Sequence, residues 1–320
     1  MSTKKESEPL LQHNPNRHVM FPIQYNDLWT LYEKAQSAFW TTKEINLSQD
    51  KAHFLKLNKQ EQNHLKLVLS FFANADGIVM ENLCTQFFEE IEIPEIRAFY
   101  SFQLAIECIH SEMYAILIHT LIPEGEKETL FTAHHSIPSI KQKTDWATKW
   151  MNSNQSFQKR LVAFAVVEGI FFSSSFASIF WFKTKGILPG LCLSNEFISR
   201  DEASHCEFAT TLYRNYIKHT LSYEEILEIV LPAVELEKLF SRDAIQTEQI
   251  GMNQSKMEQY IELVADHLLI DLGYPVYYKA KNPFPFMEQI SIDGKTNFFE
   301  RRVSEYKTSD QQNFAILDNW

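Results

Sequence analysis

The amino-acid sequence predicts an all-α protein built as a large helix bundle. Glycine occurs only 8 times and proline 11 times in 320 residues, so chain breaks are sparse and long helices are expected. Apolar residues recur at helical spacing along most of the chain. A third observation is a repeated pattern, in which a lone acid in an apolar helix is followed about thirty residues later by Glu-x-x-His.

Composition and charge narrow the class of protein. Hydrophobic residues make up 45% of the chain and charged residues 22%, which is typical of a globular protein with a sizeable core. The net charge of −11 gives no basic stripe for nucleic acid and disfavours anionic membrane surfaces. The four cysteines are scattered, and the first residues lack an apolar core of signal-peptide length. We therefore expect reduced thiols and a cytoplasmic protein, with no nucleic-acid or membrane partner.

The helical elements follow from apolar periodicity. In the second of them, Leu65, Val68, Leu69, Phe72 and Asp76 share one face. The pattern predicts helices at about 27–40, 58–90, 95–121, 140–152, 157–184, 192–218, 223–248 and 254–271. Flanking them, we expect a flexible arm at 1–20, a single helical domain over 21–305 with a small hairpin at its Asp-Gly turn, and a mobile tail at 306–320.

The segment from Leu161 to Phe182 is apolar and long enough to cross a bilayer. Its only charged residue is Glu168, near the middle, and an acid inside a membrane is costly without a partner. A helix that is apolar on every side can equally form the centre of a soluble bundle. Because mean hydropathy is −0.26 and no second such segment occurs, the buried-helix interpretation is favoured.

Glu-x-x-His occurs three times in the chain. Residues three apart share a helix face, so each pair presents an oxygen and a nitrogen to one point. Glu61–His64 borders a helix start without a matching acid, and we expect it to be a solvated surface pair. The other two pairs each follow a lone acid. They are Asp76 with Glu107–His110, and Glu168 with Glu202–His205.

The two matched sets predict a di-metal site between four core helices. Such bundles take one carboxylate from each of two helices and Glu-x-x-His from each of the other two. Four buried carboxylates would repel one another, and two cations remove that cost. Oxygen and imidazole ligands without thiolate suit iron or manganese. The alternative is a structural network of acids paired with Arg or Lys, but no basic residue occupies matching helical positions in these segments.

The two halves of the pattern differ at one position. Tyr114 follows Glu107 by seven residues on the same face, whereas Ala209 follows Glu202 by seven. A core tyrosine at that spacing is usually structural. Beside a redox metal pair, Tyr114 becomes a candidate for one-electron oxidation.

Long stretches of the chain resemble one known family. From about Arg17 to the C-terminus, the sequence is similar to the small, radical-generating subunit of class I ribonucleotide reductase, of the eukaryotic and poxviral type. The stretches that carry the resemblance are FFANADGIVMENL, IECIHSEMY, VAFAVVEGIFFSSSFASIFW, SNEFISRDEASHCEF and GKTNFFERRVSEY. The resemblance implies a ferritin-like bundle, a homodimer, and a large-subunit partner that reduces ribonucleoside diphosphates.

Site residues are carried over from this resemblance position by position. It implies that Asp76, Glu107 and His110 bind one metal ion, and that Glu168, Glu202 and His205 bind the other. The ions would be two irons per chain, with manganese possible, and dioxygen would be the oxidant. The remaining implied roles are a radical at Tyr114, an apolar pocket of Phe172, Phe176 and Ile198, and a proton-coupled electron route through His110, Asp201, Trp40 and Tyr306.

The chain also departs from the family pattern at several positions. Ser174 stands where related proteins have glycine, and Ala203–Ser204 replace a Gly-Leu pair. These substitutions lie between functional residues, and we expect them to affect helix packing or dioxygen access. All six predicted ligands are kept. The tail from Phe314 to Trp320 is implied to dock on the large subunit, but it ends in Trp rather than Phe. Other hypotheses remain open: a di-iron oxygenase or desaturase, an iron-storage protein, or an inactive, dimer-stabilising partner subunit.

Overall fold

The computed structural model describes residues 8–82, 86–132, 137–150, 154–245 and 252–287, with the backbone alone at 76, 78–80 and 82. Contacts divide the chain into two compact units, Met1–Pro283 and Phe284–Trp320. Of the second unit only 284–287 is described, where the Met287 N–H donates to the Phe284 carbonyl at 3.0 Å. The expected hairpin and the tail at 306–320 lie outside the described residues.

The described part of the first unit is built from helices, and this confirms the predicted all-α class. In chain order the helices are α1 Asn26–Ser37, α2 Asp50–Lys56, α3 Lys59–Asn82, α4 Phe88–Glu90, α5 Pro94–Leu121, α6 Glu124–Phe131, α7 Pro138–Trp150, α8 Phe157–Val166, α9 Ser173–Thr184, α10 Pro189–Tyr216, α11 Tyr223–Ala244 and α12 Gln254–Asp271. A widened π-helical turn, Val167–Phe171, joins α8 to α9.

Four long helical segments form the centre of the bundle: α3, α5, α8 with its π turn and α9, and α10. Helix α5 packs against α3 and α10, and α10 packs against α8 and α9. The buried positions of α5 include Gln103, Glu107, His110 and Tyr114, which recur at spacings of three and four on one face. The face that enters the core therefore carries the polar residues singled out in the sequence.

The apolar segment lies inside this bundle. Phe157–Thr184 is long and apolar enough to cross a membrane, but 94% of its most apolar window is buried within the protein. Because neighbouring helices already cover it, its hydrophobicity is explained by the core. The structure supports the buried-helix interpretation, and it adds the π turn, which apolar periodicity does not predict.

The start of α10 is fixed by a side chain from another helix. Pro189 and Gly190 open the helix, and the Asp50 carboxylate accepts the N–H groups of Gly190 at 3.1 Å and Leu191 at 2.8 Å. These are two of the N–H groups that a helix leaves unpaired at its N-terminus. A Cβ at Gly190 would lie 2.7 Å from the Asn46 carbonyl oxygen, so only glycine permits this approach.

The N-terminal segment packs on the bundle from the first described residue. The Glu8 carboxylate accepts the Lys218 N–H at 2.9 Å, and Leu10 is buried. The Asn14 N–H donates to Glu92 at 2.7 Å. The flexible arm expected at 1–20 is thus described only from Glu8, and that part is in contact with the helices.

Helix boundaries follow the sequence prediction closely with three differences. The run expected at 58–90 consists of α3, three residues outside the description, and the short α4. Helix α2 was not predicted, since its seven residues are too few to show a period. Helix α6 was not predicted, since its sequence EGEKETLF has too few apolar residues to show one. None of these differences moves a residue of the predicted site.

Candidate metal centre

Five of the six predicted metal ligands meet in the bundle core. Helix α5 supplies Glu107 and His110, α10 supplies Glu202 and His205, and the π turn supplies Glu168. All five side chains are buried. The sixth predicted ligand, Asp76, lies on the described backbone of α3, and its side chain is outside the description. The structure therefore brings both core Glu-x-x-His pairs into one cluster.

The donor atoms lie close to one another. One ligand atom from each of Glu107, Glu168, Glu202 and His205 lies within 4.8 Å of all the others. The Nδ1 atom of His205 lies 3.1 Å from Glu107 Oε1 and 3.3 Å from Glu202 Oε2. The Nδ1 atom of His110 lies 3.1 Å from Glu202 Oε1 and 3.3 Å from Glu107 Oε2. The two carboxylates Glu107 and Glu202 each face both histidines.

The chemistry of this donor set fits cations. Despite complete burial, Glu107 Oε1, Glu168 Oε2 and His110 Nδ1 have no hydrogen-bond partner, although carboxylates and imidazoles are adjacent. Unpaired buried polar atoms are expensive. Among the described residues, no lysine or arginine forms an ion pair with these carboxylates, so the Arg/Lys network is not observed. Oxygen and nitrogen donors without sulfur match iron or manganese.

The electrostatics of the cluster are also those of a cation-binding site. Burial, and then the neighbouring Glu202, raise the pKa of Glu168 well above its usual value. Burial alone would lower the pKa of His110 and of His205, but the surrounding carboxylates raise both well above the usual range. The protein on its own thus holds protons among these groups, and metal ions would replace them.

One polar neighbour was missed in the sequence. Gln103 is buried on α5, and its Nε2 donates to Glu168 Oε1 at 3.1 Å. Its spacing of four residues before Glu107 places it on the same helix face, and this was the available signal. A hydrogen bond of this kind fixes the orientation of a ligating carboxylate.

A hydrogen-bonded chain leads from the cluster to a buried indole. Asp201 Oδ2 accepts the Trp40 Nε1–H at 2.7 Å and lies 3.1 Å from His110 Nε2. The Trp40 and His110 rings are stacked with centroids 6.2 Å apart. Arg200 donates to the other Asp201 oxygen at 3.1 Å. The structure therefore brings Trp40, Asp201 and His110 into contact, in the order that the resemblance implies.

The predicted radical tyrosine lies in an aromatic environment. Tyr114 is 3% exposed and stacks on Phe72, with ring centroids 4.6 Å apart. The Phe72 ring in turn packs against those of Phe172 and Phe176, with centroid distances of 5.8 Å and 5.2 Å. Ile198 is fully buried on α10. Phe72 is an addition to the predicted pocket, and its position four residues before Asp76 was the signal in the sequence.

Several predicted features fall elsewhere or need correction. Tyr306 and the tail from Phe314 to Trp320 lie outside the described residues. The expectation that Glu61–His64 is a solvated pair was wrong. His64 is 3% exposed and its Nδ1–H donates to the Ala244 carbonyl at 3.0 Å, because a later helix covers this face of α3. The pair does not lie in the metal cluster, as expected.

In the described residues, a helical bundle with two Glu-x-x-His pairs beside a third buried carboxylate fits the class of di-metal carboxylate proteins. Residues 17–283 match the family model described as ribonucleotide reductase, small chain. The chain is 52% identical over 304 residues to ribonucleoside-diphosphate reductase subunit M2 from Danio rerio, covering 94% of this chain and 78% of that one. It is also 52% identical over 314 residues to the small chain from Yaba-like disease virus, covering 98% and 95%.

Structural comparison agrees. The structure of the ribonucleotide reductase Rnr4 homodimer from Saccharomyces cerevisiae superposes with a TM-score of 0.81 at 35% identity, covering 94% of this chain and 93% of that one. The chain belongs to the ribonucleotide reductase small chain family. This confirms the resemblance, the ferritin-like fold and the assignment to an oxidoreductase of ribonucleoside diphosphates.

Proposed function

We propose that this chain generates and holds a radical on Tyr114 and delivers its oxidising equivalent to a large ribonucleotide reductase subunit. Family membership supports the setting. The observation that carries the proposal is the convergence of donor atoms from Glu107, Glu168, Glu202 and His205 within 4.8 Å of one another. Tyr114 follows Glu107 on the same buried face of α5, two helical turns away.

The proposed ligands form two sets. Asp76, Glu107 and His110 would hold one iron ion, and Glu168, Glu202 and His205 the other. When bound, the pair supplies the one-electron oxidation of Tyr114 at the expense of dioxygen; manganese could take the same donors. The carboxylates balance the charge of the ions, and the helices fix donor number and orientation. Gln103 keeps one Glu168 oxygen oriented through its 3.1 Å hydrogen bond.

The surroundings of Tyr114 suit a long-lived radical. Phe72 covers one face of the phenol ring, and Phe172 and Phe176 pack against Phe72. Water and external reductants are excluded because these side chains are buried. We propose that this aromatic layer, together with Ile198, sets the lifetime of the radical.

The exit route begins at the metal cluster. His110 passes a proton between its Nε2 and Asp201, and Asp201 accepts the indole N–H of Trp40. Such a chain lets an electron and a proton move together without exposing charge to the core. Tyr306 is proposed as the next residue, and the tail from Phe314 to Trp320 as the segment that docks on the large subunit. We also propose that the chain acts as a homodimer in the cytoplasm.

The test is metal analysis with electron paramagnetic resonance after Fe(II) and oxygen are added to the apoprotein. Two irons per chain and a tyrosyl signal are expected. Tyr114→Phe should bind the same two irons and give no tyrosyl signal. The matched control is Tyr100→Phe, which removes another buried phenol from α5, on the other side of Glu107, and should keep the signal. A tyrosyl signal that survives in Tyr114→Phe would refute the assignment, and a signal obtained only with Mn(II) would replace iron by manganese.

A further inference from the structure

A buried ion pair lies beside the π turn that carries Glu168. Lys143 on α7 and Glu237 on α11 are 1% and 0% exposed at their side chains, and Lys143 Nζ lies 2.6 Å from Glu237 Oε2. The Nζ atom also lies 3.4 Å from the ring centroid of Phe71 and 4.3 Å from that of Phe240. Burial lowers the pKa of Lys143 to about 8, so the ammonium persists at neutral pH.

Both members of the pair bond to the backbone where the π turn meets α9. Lys143 Nζ donates to the Phe171 carbonyl at 2.6 Å, and Glu237 Oε1 accepts the Ser174 N–H at 3.0 Å. Next to them, the Ser173 hydroxyl donates to the Ile170 carbonyl at 2.7 Å. A change of helical pitch leaves backbone groups without their regular partners, and here side chains replace those partners.

The pitch of this turn decides where Glu168 points. A π turn inserts one residue, so relaxation to regular α-helix would rotate the following residues by about 100° relative to the preceding ones. The opposite side of the turn is also constrained, because a Cβ on Gly169 would lie 3.0 Å from Cys206 Sγ. Buried ion pairs contribute little net stability, and in some proteins they specify one conformation.

We propose that Lys143 and Glu237 are positioning residues, which hold the π turn so that Glu168 faces the other donors of the metal centre. This inference rests on the proposed metal centre. It explains why α7 and α11, which supply none of the proposed ligands, carry a buried cation and a buried anion directed at one backbone joint. It also gives Ser174 a role through its main-chain N–H, which any residue at that position other than proline would retain.

The principal variant is Lys143→Met with Glu237→Gln. It leaves no uncompensated buried charge, and the glutamine oxygen still accepts the Ser174 N–H, so the main loss is the donor to Phe171. Binding of Mn(II) alone to the apoprotein is measured by calorimetry, and amide hydrogen exchange is followed over residues 167–174. Of the two Mn(II) ions expected per chain, the more weakly bound one should bind the double variant about 10–100-fold less tightly than wild type. Amide exchange over residues 167–174 should be faster than in wild type. Glu237→Gln alone removes the counter-ion that orients Lys143 toward the Phe171 carbonyl. It should therefore give a smaller change in the same direction, and it serves the test if the double variant does not fold.

The control separates positioning from general destabilisation. Ile229→Ala creates a cavity on α11 at a fully buried position away from the joint, and should lower the melting temperature while leaving Mn(II) affinity unchanged. Wild-type Mn(II) affinity and wild-type exchange in the double variant would overturn the inference. Failure of the wild-type apoprotein to bind Mn(II) or Fe(II) would instead refute the proposed metal centre, and unchanged exchange would then also refute the role of the pair in holding the turn.

Discussion

The rings of Phe72 and Tyr114 lie face to face, with centroids 4.6 Å apart and planes 7° from parallel. Phe72 comes from α3 and Tyr114 from α5, and these two helices pack against each other along the core. The contact places an unreactive ring between the phenol and the rest of the aromatic layer. We therefore expect the lifetime of the proposed Tyr114 radical to depend on this pair.

Replacing Phe72 by alanine should shorten the life of the Tyr114 radical. The vacated volume exposes one face of the phenol, and the fold loses about 3–5 kcal/mol of unfolding free energy. The decay of the tyrosyl resonance at fixed temperature measures the effect. Phe87→Ala, at another fully buried phenylalanine, should cost similar stability and leave the decay rate unchanged. Equal decay in the two variants would argue against a shielding role for Phe72.

Replacing Asp201 by asparagine should uncouple radical formation from ribonucleotide reduction. The amide oxygen can accept only weakly from His110 and Trp40, both of which now use the carboxylate. We expect nucleotide reduction per tyrosyl radical, assayed with a large subunit, to fall by about 10–100-fold. The control is Glu196→Gln, on the same helix as Asp201, which breaks a partly exposed ion pair with Lys183 of α9. An unchanged ratio would exclude Asp201 from the route.

His64 should make the apoprotein less stable in mild acid. Burial lowers the pKa of His64 to about 4, and its unfolded value is about 6.5. Between these values the unfolded chain binds more protons, so the free energy of unfolding falls as pH falls from about 6.5 toward 4, by up to about 3 kcal/mol. Above pH 6.5 the contribution is fully present.

Urea unfolding across this pH window measures the effect. His64→Gln should have a shallower pH dependence than wild type, because it lacks the buried imidazole. The cluster histidines are present in both proteins, so their contribution cancels when the two curves are subtracted. His219→Gln, at an exposed position, should follow wild type. Parallel curves for wild type and His64→Gln would show that His64 is not the acid-sensitive group.

Replacing Asp50 by alanine should destabilise the start of α10. The Gly190 and Leu191 N–H groups would lose their acceptor in a buried site. The free energy of unfolding should therefore fall by about 0.5–2 kcal/mol. The denaturant midpoint measures the loss. Asp50→Asn keeps one acceptor oxygen and should lie between wild type and alanine. If asparagine were as damaging as alanine, the charge rather than the hydrogen bonds would be responsible.

The sequence by itself determined the long helices of the bundle and the acids and histidines that meet in its core. Glu107–His110 and Glu202–His205 are three residues apart, and helical periodicity alone places each pair on one face. Glu168 was identified because an acid in so apolar a segment requires compensation. The metal-ligand roles, the Tyr114 radical, the Tyr306 link and the docking of the tail all remain predictions. The Asp76 side chain, Tyr306 and the tail lie outside the described residues.

Only the tertiary structure decided how these faces meet. The stacking of Phe72 on Tyr114, the burial of His64 and the Lys143–Glu237 pair join residues that are far apart in the chain, and no local period encodes such contacts. The π turn at 167–171 was also hidden, because its backbone hydrogen bonds involve Lys143 and Glu237, which come from α7 and α11. Local spacing sets the direction of a side chain on its helix, whereas packing between helices sets what that side chain touches.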